Sequence, residues 1–145
     1  MQNRLNYLID SYTTGNNLPT DNQLSMLISG DLNKPLTVVN FFKLRKKADT
    51  SLIHDKSMTG FEAFTKYAET SIPKVSEVGG RFILQGSVEG DLIGNNNPQW
   101  DIIAIGEYPR RECFIQLLED DEYKNAFQYR QAAIEVQNVY LVEPL

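Results

Sequence analysis

The apolar positions of this chain change their spacing several times, and each change marks a new element. Leu5, Leu8, Ile9 and Tyr12 recur at helical intervals, as do Leu24, Leu27 and Ile28 behind a possible cap at Asp21. Thr13-Thr-Gly-Asn-Asn-Leu-Pro19 separates the two groups, so residues 1–34 read as a helical extension packed on a main domain spanning 35–145. From Leu36 to Leu44 the residues turn β-branched and aromatic. Both alternating sets there, Leu36/Val38/Phe42/Leu44 and Val39/Phe41, are largely apolar, which predicts a strand covered on both faces.

Thr59 and Glu62 make a T-x-x-E capping box that opens a helix in which Phe61, Phe64, Ala68, Ile72 and Val75 share one side, with a kink expected at Pro73. Gly79-Gly80 stops it. Arg81–Gly90 reads as a second strand, Gly94-Asn-Asn-Asn-Pro98 as a turn or hairpin loop, and Trp100–Tyr108 as a third strand. Pro109 suits the first position of a helix carrying Phe114, Leu117 and Leu118, which breaks near Glu119-Asp-Asp-Glu122 and resumes to about Val136. Val139–Glu143 is the last strand. The order β-α-β-β-α-β predicts an α+β protein: a ferredoxin-like, four-stranded antiparallel sheet with two helices on one face. The other face is left bare although its residues are apolar, so a second copy of the chain is expected to cover it, giving a homodimeric α+β barrel.

Charge and composition narrow the partners. The chain has 145 residues and a net charge of −5, which speaks against tracking nucleic-acid phosphates. The run Lys43-Leu-Arg-Lys-Lys47 is read as a solvated loop. One cysteine permits no internal disulfide and no cysteine zinc cluster, and one histidine permits no multi-histidine metal site. No eighteen apolar residues run together and no signal-peptide pattern is present, so no membrane partner is expected and a cytoplasmic protein is the default.

Candidate chemistry resides in polar residues on otherwise apolar elements. Tyr123, Phe127, Arg130 and Ile134 fall on one helical face with Ala126 and Ala133 beside them, which places a guanidinium in a stripe that should face the core. One reading is a structural pair of Arg130 with Asp101 or Glu107. The other is an arginine that orients an anionic small molecule in a pocket between helices and sheet. In the second reading Asn40, Arg130, Tyr123 and Trp100 contact the ligand, and Tyr67 or Asp101 moves a proton, since arginine stays protonated. No cofactor or metal is expected. His54 with Asp55 reads as a loop pair, and Cys113 as a small buried residue rather than an activated thiol.

Asn40-Phe-Phe-Lys-Leu-Arg45, Phe64-Thr-Lys-Tyr67, Gly79-Gly-Arg81, Gly86, Trp100-Asp101, Glu107-Tyr-Pro109, Tyr123 and Arg130 together resemble the domain-of-unknown-function 1330 family, over roughly residues 35–144. The resemblance implies membership of the dimeric α+β-barrel superfamily, a homodimer, and a cleft between helices and sheet. Superfamily relatives include cofactor-independent monooxygenases, muconolactone isomerases and haem-binding peroxidases, so no single chemistry follows. Asn40, Tyr67, Asp101 and Arg130 match recurrent polar positions of the family. Here Arg110-Arg111 follows Pro109 where the family often has Ser-Arg, and the 34-residue preface lies outside its usual core. The expected function is a homodimeric small-molecule-binding protein for an apolar compound bearing a carbonyl or carboxylate, which as an enzyme would need neither metal nor flavin; the alternative is a non-catalytic interaction module.

Overall fold

The computed structural model describes residues 1–13, 15–95 and 97–145; Thr14 and Asn96, in the two predicted linkers, lie outside the described residues. The chain forms α1 (Gln2–Ser11), α2 (Asp21–Ser29), β1 (Leu36–Leu44), α3 (Gly60–Glu77), β2 (Arg81–Ser87), β3 (Ile102–Tyr108), α4 (Arg111–Glu119), α5 (Asp121–Ala133) and β4 (Ile134–Val142). The strands make one antiparallel sheet in the order β2-β3-β1-β4, the ferredoxin-like arrangement.

Local chemistry explains most of the boundaries. Thr59 accepts from Glu62 N–H at 3.0 Å while the Glu62 carboxylate accepts from Thr59 N–H at 3.1 Å, so the predicted capping box starts α3. Gly79 ends it at φ +90°, and Gly80 N–H returns to Val75 O at 2.9 Å. Asp120 separates α4 from α5 and caps the latter through Tyr123 N–H.

Several expectations are corrected. The buried line of α3 is Gly60, Ala63, Tyr67, Ser71 and Val75, whereas Phe61 is 64% exposed and Ile72 45%, because the helix turns Tyr67 rather than the phenylalanine edge into the core. α5 stops at Ala133, so Ile134, read as part of the helical stripe, is instead the first residue of β4 opposite Leu44; the β-branched Ile134, Val136 and Val139 favour the extended ladder. Trp100 and Asp101 precede β3, and β2 ends at Ser87 rather than Gly90.

Leu36, Val38, Asn40 and Phe42 of β1 face the helices; Val39 and Phe41 face away. The core between sheet and helices continues into the N-terminal segment, where Leu8, Tyr12, Leu24, Leu27 and Ile28 pack with Val38, Tyr67, Val75 and Leu117. Arg4 fastens α1 to α4 by paired hydrogen bonds to Glu112 and Glu119 at 2.7–2.8 Å. Among the described residues no helix is long and apolar enough to cross a membrane.

Candidate functional site

The guanidinium of Arg130 lies under α5 against β1 and β4, in a residue only 8% exposed. No carboxylate pairs with it among the described residues: Glu107 bonds Arg81 instead, and Asp101 accepts from Leu44 N–H at 2.7 Å. The structural pairing expected for Arg130 is therefore absent. Its acceptors are neutral. Nη1 donates to Tyr67 Oη at 3.0 Å, and Nη2 donates to Gln137 Oε1 at 2.8 Å and to Asn40 Oδ1 at 3.4 Å. Nε is buried with no acceptor among the described residues.

Aromatic faces supply what carboxylates do not. Arg130 Cζ lies 4.9 Å from the Phe42 ring centre, 5.3 Å from Phe127 and 5.5 Å from Tyr67, so ring quadrupoles offset part of the lost hydration. Burial opposes the charge, yet the surrounding tyrosine oxygens outweigh it and hold the guanidinium above its ordinary value, so it stays protonated.

Tyr67 and Tyr123 hydroxyls lie 2.7 Å apart. Burial pushes the Tyr123 phenol well above its ordinary value, which keeps its proton in place. With Tyr123 as donor, Tyr67 Oη accepts from both Tyr123 and Arg130, and its own O–H remains available to a third group. Asn40 is tied down on both sides: Nδ2 donates to Ala104 O at 3.0 Å across the sheet while Oδ1 faces Arg130. One Nδ2 hydrogen is thereby used, and the oxygen is turned towards the guanidinium.

These groups open on a cleft of about 700 Å³ between the sheet and the helices. Arg130, Tyr67, Asn40 and Tyr123 all line it, so four of the six sequence-predicted site residues converge. The other two do not. Asp101 is exposed and closes the end of β1, and Trp100 packs on Phe41 at 5.7 Å, on the opposite face of the sheet from Asn40. Both precede β3 and line a separate groove with Arg45, Thr59 and Phe61.

Gln137 was missed. The residue spacing places it between helix and strand, but β4 begins three residues earlier and sets Gln137 opposite Phe42, facing Arg130. A polar residue within a β-branched run was the available signal. Gln137 also donates to Asn17 O at 2.8 Å, tying the N-terminal loop to the site, and Leu18, Pro19, Leu24 and Leu27 of that segment wall the cleft.

A ferredoxin-like sheet with a cleft beneath its helices, floored by an enclosed cation, defines the class of this α+β protein. The chain belongs to the family described as domain of unknown function (DUF1330), whose model matches residues 52–145. The match begins after β1, so Asn40 and the run to Arg45 lie ahead of it. Among solved structures the chain is similar to RPA0582, a protein of unknown function from Rhodopseudomonas palustris, at 32% identity and a TM-score of 0.80 over 91% of this chain and 98% of that one. It is likewise similar to the methylated RPA0582 protein, at 32% identity and a TM-score of 0.82 over 92% and 97% of the two chains. No curated protein matches it.

Proposed function

We propose that the protein is a homodimer that binds a small apolar compound bearing an anionic or polarised oxygen, with Arg130 as the group that holds that oxygen. One observation carries the reading: a guanidinium is enclosed with no carboxylate partner among the described residues and faces a cleft large enough for a ligand. A buried cation satisfied only by neutral dipoles leaves a positive potential that an anion would relieve. As an enzyme, the site would use Tyr67, which can pass a proton while Arg130 and Tyr123 donate to its oxygen.

Dimerisation is supported by the outer sheet face, where Val39, Phe41, Ile103, Ile105, Tyr140 and Val142 form an apolar surface with Tyr140 52% and Val142 40% exposed. The test pairs a thermal-shift screen of carboxylates and aromatic ketones with the substitution Arg130→Met. The expected result is a set of ligands that raise the melting temperature of the wild type and not of the variant. A variant that is more stable and binds the same ligands equally well would make the arginine purely structural and leave the interaction module as the reading.

A further inference from the structure

The distribution of charge and shape in the cleft restricts the ligand further. Among the described lining residues Arg130 carries the only charge; no Asp, Glu or Lys accompanies it. One guanidinium balances one negative charge. A second carboxylate, or the second charge of a phosphate, would be enclosed beside side chains that cannot neutralise it.

The side chains that bond Arg130 also lie together. Tyr67, Asn40 and Gln137 surround Arg130, with the unpartnered Nε among them. Away from that point the walls turn mainly apolar, aliphatic more than aromatic, with Ser71 and Tyr108 as polar interruptions. β1 passes from Asn40 to Val38, α3 passes from Tyr67 to Val75, and Leu24, Leu27 and Leu117 close the space between them. Eight residues of helix separate Tyr67 from Val75, a distance of about 12 Å along the axis. An extended alkyl chain advances about 1.3 Å per C–C bond, so a ligand needs about nine bonds, or about ten carbons, to span that length.

Resting on the reading of Arg130 as an anion site, we propose that the cleft takes a straight-chain monocarboxylate of about ten carbons, head at Arg130 and tail running towards Val75, Leu24 and Leu27. Tyr67 and the free donors of Arg130 hold the carboxylate. The aliphatic walls hold the chain and set its length.

Calorimetric titration of the full chain with butanoate through dodecanoate, kept below micelle-forming concentrations, tests this. The dissociation constant should fall by about fourfold per added methylene up to a plateau. Methyl octanoate, uncharged, and octanedioate, doubly charged, should each bind at least about tenfold more weakly than octanoate. Leu24→Phe should move the plateau to shorter chains while hexanoate binding holds, an effect a surfactant-like association elsewhere would not produce. A dissociation constant that is flat along the series, or tighter binding of octanedioate or an aromatic acid, overturns the chain-length inference. If such acids still need Arg130, the anion-site reading survives it. Absence of binding by every carboxylate, with Arg130→Met unchanged, overturns both.

Discussion

Tyr12, Tyr108 and Tyr123 are all buried, at 7%, 5% and 3% exposure, and burial pushes each phenol above its ordinary value. A group whose pKa is raised by folding contributes stability that is complete below its unfolded pKa of about 10 and is lost as pH rises towards the folded value. Stability should therefore be level through neutral pH and fall above about pH 10, by up to about 1.4 kcal/mol per pH unit for each phenol. Urea titrations from pH 8 to 11 check this; Tyr123→Phe should flatten the slope. The same substitution removes the 2.7 Å bond to Tyr67 and should cost about 1 kcal/mol at pH 7. At this scale Arg130 was legible because a charge on a buried helical stripe breaks the pattern. Tyr67 and Asn40 were legible as members of the site, but their bonds to Arg130 and the part of Gln137 were not, because the three come from three other elements.

Among elements, α1 and α4 are joined by the Arg4 fork on Glu112 and Glu119, and Arg4 hydrogen bonding holds the Glu112 carboxyl below its usual value. A lowered carboxylate contributes above its unfolded pKa and loses that contribution as pH falls through the folded one. Amides of α1 should exchange about tenfold faster in Arg4→Met at neutral pH, and the difference between variant and wild type should shrink below about pH 4. The start of α3 is constrained differently. A Cβ at Gly60 would lie 1.8 Å from Arg45 O, a backbone atom that cannot swing aside. Gly60→Ala should cost at least about 3 kcal/mol by denaturant unfolding. The capping box that opens this helix was readable from four residues, but the close approach of Arg45 was not. The first is local; the second depends on how the loop after β1 returns.

For the molecule as a whole, a −5 chain carries one positive charge into its cleft and turns an apolar sheet face outward. In the proposed dimer that face is covered, so Ile105→Lys should yield a monomer in sedimentation velocity with its helical and strand content retained. Persistence of a dimer would place the interface elsewhere. Periodicity, capping and glycine stops, which act over three or four residues, by themselves determined the βαββαβ order, β1 and the start of α3. Only the tertiary structure decided that Ile134 starts a strand, that Trp100 and Asp101 leave the site, and that Arg130 meets Gln137 instead of a carboxylate. Strand register and chain crossover set those distances, and neither is encoded in the spacing of neighbours along the chain.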